Sequence, residues 1–255
     1  MNALVYLIII IILLTLFFLY ILFYYRNSNQ TDNEIVYNYK DIKKDLKSGD
    51  IILFSCNKYS SIVDEIGYIC RTKLLGTAYG HVGIVFNNNG NLFLVECTDD
   101  NHTARQYATH LNNKKRGGIR IIELDTIISE YYKENKGFFG VKFIEKEIPT
   151  QRMIDNILKY QNVIFEIKIV LIGLIIIDLY ISNDSVTKIS HIYTKNETIM
   201  DKMMCSEFVY KLLFDCDVVN YYPRKIFWPH LFVNGKFDEL TKINYSQPLK
   251  FTYVD

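Results

Sequence analysis

Residues 3–25 read ALVYLIIIIILLTLFFLYILFYY and contain no Asp, Glu, Lys, Arg or His. As a helix these twenty-three residues reach roughly 35 Å, enough to cross a hydrocarbon core of ~30 Å. A lone segment in lipid must satisfy its own backbone hydrogen bonds, which leaves helix as its form. Tyr6 stands near one end and Tyr20, Tyr24 and Tyr25 near the other, where aromatic side chains favour the two interfaces. A cleaved signal peptide wants a basic start, a shorter apolar stretch and a small-residue cleavage site. Here no basic side chain precedes the run and no small-residue pair closes it. Residues 3–25 are therefore read as a single-pass transmembrane anchor, with the lipid bilayer as its partner. Arg26, Lys40, Lys43, Lys44 and Lys47 follow the anchor, so the positive-inside rule favours the cytoplasmic side for the rest of the chain.

Behind the anchor, residues 26–45 are polar without a periodic apolar face and read as a juxtamembrane linker. The remaining stretch, 46–255, is long enough for one good core and short for two domains. Its charge excludes some functions. The chain has 29 basic and 28 acidic residues, net +1, with no basic patch or stacking motif for nucleic acid. Five cysteines (Cys56, Cys70, Cys97, Cys205 and Cys216) are odd in number and form no C-x-x-C pair. That argues against a disulfide scaffold and for a reducing compartment. Histidine spacing offers no zinc-ligand pattern, and nothing calls for a metal or cofactor.

Periodicity predicts an α+β fold. LKSGDIILFSC offers a Ser-Gly-Asp turn and then a strand at Ile51 to Ser55, and three-to-four spacing over 60–75 predicts an amphipathic helix. YGHVGIVFNNNGNLFLVECT is two β-rich runs around an Asn-Asn-Asn-Gly turn. Further strands are expected at Ile119 to Ile122, Phe138 to Ile144 and Leu249 to Val254. Helices are expected at Leu124 to Tyr132, from Pro149-Thr150 through Leu158, and over MCSEFVYKLL. Residues 163–181 are strongly apolar, but the uninterrupted part is only Ile169 to Ile177, between Glu166 and Lys168 on one side and Asp178 on the other. That is too short to span a bilayer, so the stretch reads as a buried segment or a membrane-facing patch.

Chemistry is most strongly indicated at Cys205. It opens the MCSEFVYKLL helix, where free N–H groups and the helix dipole favour a thiolate and can face an oxyanion. The bland alternative is a buried cysteine on a core helix. His81 starts a strand just after Tyr79-Gly80, at a sheet rim. A turn centred between Asn88 and Asn89 puts His81 opposite Glu96. The Asn-Gly register puts Thr98 there and leaves Glu96 diagonal on the same face. Either way Glu96, a charge inside the apolar run Leu92 to Cys97, can hold one ring nitrogen while the other takes a proton from Cys205. The bland alternative is a rim His–Glu pair that only ties the hairpin. His102, His110, His191 and His230 lie in polar or loop contexts and read as structural or surface residues. Asp50 reads as a turn or strand-entry carboxylate, Glu207 as a helix-start acid, and Ser206 as a cap or a substrate donor.

Three blocks together resemble a known family. They are Ser48-Gly49-Asp50-Ile51-Ile52-Leu53, then Gly80-His81-Val82-Gly83-Ile84-Val85 with Leu94-Val95-Glu96-Cys97, then Cys205-Ser206-Glu207-Phe208-Val209. In this order, with Tyr222-Pro223 to Trp228-Pro229 after them, they resemble the circularly permuted papain-like proteins of the NlpC/P60 superfamily. The likeness is greatest to the YiiX-like group of bacteria and large DNA viruses. The resemblance implies an antiparallel sheet packed against helices, with His81 as base, Glu96 as orienting residue and Cys205 as nucleophile. It also implies a thiol hydrolase of the peptidase or amidase class acting through an acyl-enzyme. A lipid acyltransferase or phospholipase-like thiol enzyme stays open, as does a non-enzymatic membrane or virion envelope protein that retains the fold. The substrate is then a peptide or a lipid, and the membrane that of a host or a virion. The family pattern does not account for the long segment between Glu96 and Cys205.

Overall fold

The computed structural model describes residues 36–55, 72, 77–98, 109–110, 117–135, 137–165, 202–220, 229–233 and 235–254. The expected anchor at 3–25, all of the expected 60–75 helix except Thr72, and the apolar stretch beyond Phe165 lie outside these residues. Among the described residues no helix is long and apolar enough to cross a membrane.

In chain order the elements are β1 (Tyr37–Asn38), α1 (Tyr39–Lys43), β2 (Ile51–Ser55), β3 (Tyr79–Asn88), β4 (Asn91–Thr98), β5 (Thr109–His110) and β6 (Gly118–Glu123). They continue with α2 (Leu124–Asn135), β7 (Phe139–Lys142), α3 (Thr150–Lys159), β8 (Ile164–Phe165), β9 (Lys202–Met203), α4 (Cys205–Asp215) and β10 (Leu249–Thr252). The fold is α+β. One eight-stranded sheet runs β1-β10-β7-β2-β3-β4-β6-β5, antiparallel except for the β1–β10 pair. β8 and β9 form a separate parallel pair.

The sheet is covered on both faces, which explains why every residue of β2 is buried. Ile51 and Leu53 point into a core shared with Met153 and Ile157 of α3 and Phe208, Val209, Leu212 and Leu213 of α4. Ile52 and Phe54 point the other way, into a core shared with Tyr39 and Ile42 of α1 and with Leu124, Ile127, Ile128 and Tyr131 of α2. Alternation along the strands sorts side chains between these two faces, as a period of two requires.

The β3–β4 hairpin closes on Asn89-Gly90, with Asn88 opposite Asn91. Both turn residues have positive φ (52° and 89°), the geometry that Asn-Gly supplies at little cost and that matches strand twist. This chooses the Asn-Gly register. Ile84 pairs with Val95, so continuing the ladder sets His81 opposite Thr98 and leaves Glu96 diagonal to it.

The linker expected over 26–45 is corrected at its C-terminal end, since the folded part already includes Tyr37. β1 pairs in parallel with β10 from the far end of the chain. The Tyr39 ring stacks on Phe251 with centroids 5.9 Å apart. Its hydroxyl donates to Asp125 at 2.7 Å, and Lys43 pairs with the same carboxylate. These contacts are all remote in sequence, so local polarity concealed them. Asp50 is fully buried at the entry to β2. Its carboxylate accepts from the Lys47 and Ile144 N–H groups at 2.8 and 2.7 Å, tying the start of β2 to the end of β7.

Candidate active site

Four elements bring the candidate residues to one rim of the sheet. On β2 and β3, Phe54 and His81 are cross-strand partners, with their rings 5.4 Å apart. On β4 and β6, Glu96 pairs in register with Arg120. By strand parity all four project toward the α2 face. Helix α4 packs on β3 and β4, and the core it shares lies on the opposite face. Cys205 is its first residue and buried. The rim is where a side chain from the N-terminal end of α4 and one from the end of β3 can meet.

They do meet. His81 shares one side-chain hydrogen bond with Cys205 and another with Glu96. The Glu96 bond is made by Nε2 to Oε2, which leaves Nδ1 for the thiol. Glu96 Oε1 accepts from Arg120 Nε at 2.6 Å. Both members of that pair are almost fully buried, at 1% and 2% exposure. The order of groups is therefore Arg120, Glu96, His81, Cys205, each touching the next.

Electrostatics fixes the protons in this chain. Burial alone drives the Glu96 carboxyl upward. The Arg120 charge and then His81 overcome that and hold it at about 2. An ionised carboxylate only accepts, so His81 Nε2 must carry a hydrogen. Neutral His81 then offers Nδ1 as an acceptor for the thiol proton. Burial opposes a charged imidazole, but negative charge at Cys205 and at Glu96 outweighs it and lifts His81 to about 10. The imidazolium is thus the favoured form across neutral pH once the thiol has given up its proton.

Helix α4 is set at its start by Glu207, whose carboxylate accepts from the Met204 N–H at 3.0 Å. Glu207 is thus the helix-start acid its position indicated. Cys97, the neighbour of Glu96 on the other face of β4, donates its thiol to Met203 O at 3.4 Å. Burial pushes that thiol up, and Cys205 adds to the effect, so Cys97 is no rival nucleophile. Cys216 is likewise pushed up by burial, to about 11. His230 is buried and held near 4, chiefly by burial. His102 and His191 lie outside the described residues.

Arg120 escaped the sequence reading. Its only signal is position: in GIRII it falls on the same alternate face as an isolated buried acid, but only the strand register shows that the two are paired. A cavity of about 180 Å³ adjoins the site. His81, Glu96, Thr98 and Arg120 form its polar side. Phe54, Ile127, Tyr131 and Phe165 form its apolar side. Cys205 is not part of its wall.

Among known proteins, no family profile matches the chain. The crystal structure of metalloprotein yiiX from Escherichia coli O157:H7, DUF1105, overlays with a TM-score of 0.34 and 16% identity, over 67% of this chain and 66% of that one. The uncharacterized protein R372 of Acanthamoeba polyphaga mimivirus is 40% identical over 223 residues, which is 87% of this chain and 88% of that protein. At that identity and coverage, the chain belongs to the family of mimivirus protein R372.

Proposed function

We propose that this protein is a membrane-tethered cysteine hydrolase with a circularly permuted papain-like fold. The carrying observation is His81, hydrogen-bonded at once to Cys205 and to a Glu96 held ionised by Arg120. A rim pair that served only to tie the hairpin needs no thiol beside its imidazole. The order His81, Glu96, Cys205 along the chain supports the permuted arrangement.

In the first step the Cys205 sulfur attacks the carbonyl carbon of an amide or ester, and His81 Nδ1 takes the thiol proton. The N-terminal end of α4 stabilises the developing oxyanion through its amide groups and dipole. Imidazolium His81 then protonates the leaving nitrogen or oxygen as its bond to the carbonyl carbon breaks. A thioester on Cys205 remains. Water, deprotonated by His81, releases the acid and restores the thiol. Glu96 keeps the ring in the Nε2–H tautomer throughout and offsets the imidazolium charge. Residues 3–25 hold this chemistry at a bilayer.

The test is labelling with a thiol-directed activity probe. The full chain in detergent is expected to be modified at Cys205 faster than a His81→Ala variant. Equal labelling of the two counts against the proposal.

A further inference from the structure

The cavity beside His81 carries information about the substrate, on the understanding that the hydrolase reading holds. Its position is selective. It is walled by the base and by the group that orients the base, but not by the nucleophile. The acyl part of a substrate must sit on Cys205. The leaving group is the part that must reach His81 for its proton. A cavity touching His81 without Cys205 therefore suits the leaving group.

The walls describe that group. Phe54, Ile127, Tyr131 and Phe165 call for apolar bulk. Arg120 is 2% exposed, and its Nη1 has no hydrogen-bond partner among the described residues. A buried guanidinium N–H without an acceptor is costly, and a ligand oxygen placed against it removes that cost. The Glu96 carboxylate is already shared between Arg120 Nε and His81 Nε2, so the acceptor that Arg120 Nη1 calls for has to come from the ligand, and a carboxylate oxygen meets a guanidinium better than a neutral one. The volume, about 180 Å³, corresponds to about six water volumes, the scale of one small amino acid.

We infer that the cavity is the leaving-group subsite, and that it takes an apolar amino acid whose free carboxylate meets Arg120. The bond cleaved is then an amide, R–CO–NH–R′, with R′ bearing the carboxylate. Carbon–nitrogen cleavage gives the Cys205 thioester and the free amino acid, whose nitrogen takes its proton from His81. Hydrolysis of the thioester gives R–COOH.

The experiment measures binding of isocaproate, which keeps an apolar side chain and the carboxylate but lacks the amine, to the full chain in detergent. Isocaproamide and glycerol phosphate are the comparison ligands, and iodoacetamide alkylation of Cys205 is followed in parallel. Isocaproate is expected to bind at least tenfold more tightly than isocaproamide. Ile127→Trp, which fills the cavity, is expected to abolish binding while alkylation of Cys205 continues. Ile127→Ala, which enlarges it, is expected to shift preference to longer carboxylates, and it serves if the larger side chain prevents folding. Equal binding of acid and amide, no binding with normal alkylation, stronger binding of glycerol phosphate, or indifference to both Ile127 variants overturns the inference alone. An unreactive Cys205 in a chain that still binds isocaproate overturns the hydrolase reading, and the leaving-group role with it.

Discussion

Replacing Arg120 by Met separates the charge of the Arg120–Glu96 pair from its packing. Arg120 and Glu96 are 2% and 1% exposed and joined by a 2.6 Å bond. Methionine keeps most of the stem volume and strands the carboxylate. Removing one partner of a buried pair costs about 3–5 kcal/mol, and burial this complete puts the expected loss in that range. Against a typical total of ~5–15 kcal/mol, this leaves a folded but much weakened domain. The double variant E96Q/R120M strands no charge, and it also removes an arginine whose Nη1 has no partner among the described residues. It is expected to recover at least half of the loss. The pH dependence has a definite sign. Glu96 is held at about 2 in the fold, below its ordinary 4.5, so its stabilisation is complete above pH 4.5 and lost as pH falls toward 2. Without Arg120 its carboxyl rises, and protonation relieves the stranded charge. The stability gap between wild type and R120M should therefore narrow between pH 7 and pH 4. Urea denaturation of the full chain at both pH values reads this directly. A loss below about 1 kcal/mol at pH 7, or a double variant no better than the single one, would show that Arg120 does not neutralise a buried Glu96 charge.

Three further outcomes follow from the same geometry. His81 is lifted from 6.5 to about 10, so its stabilisation is whole below pH 6.5 and lost as pH rises through about 10; Cys205→Ala removes one of the two anions responsible, and the alkaline decline in a denaturation series should begin at lower pH. A Cβ on Gly137 would lie 2.1 Å from the backbone oxygen of Ser55, so G137A should cost at least about 1–3 kcal/mol and disturb the β2–β7 edge, read as lowered thermal stability. Asp50→Asn retains one of two buried acceptors and should cost about 1–3 kcal/mol by the same assay.

Much of the fold was legible where the signal is local. Ile51 to Ser55 is a strand with the expected bounds because its apolar run is bracketed by a Ser-Gly-Asp turn. The β3–β4 hairpin follows from alternation and from Asn89-Gly90, and α3 and α4 from their spacing and first residues. Glu96 stood out because a charge within an apolar strand needs a partner. What stayed hidden was fixed by remote pairing. Arg120 is an ordinary strand residue until the β4–β6 register sets it opposite Glu96. Tyr39 and Ile42 sit among polar neighbours, and only β10 and α2, far along the chain, bury them. Lys142 is fully buried through an ion pair at 2.6 Å with Asp238, ninety-six residues away, a partnership no sequence window contains.

His81 bridges Glu96 and Cys205 in one proton network. That network is tested most directly by following the His81 ring nitrogens in a nitrogen-15 NMR titration, in wild type and in Cys205→Ala. The expected wild-type midpoint is about 10, with Nε2 protonated throughout, and the midpoint in Cys205→Ala is lower. A midpoint near the ordinary 6.5 in both proteins contradicts the network.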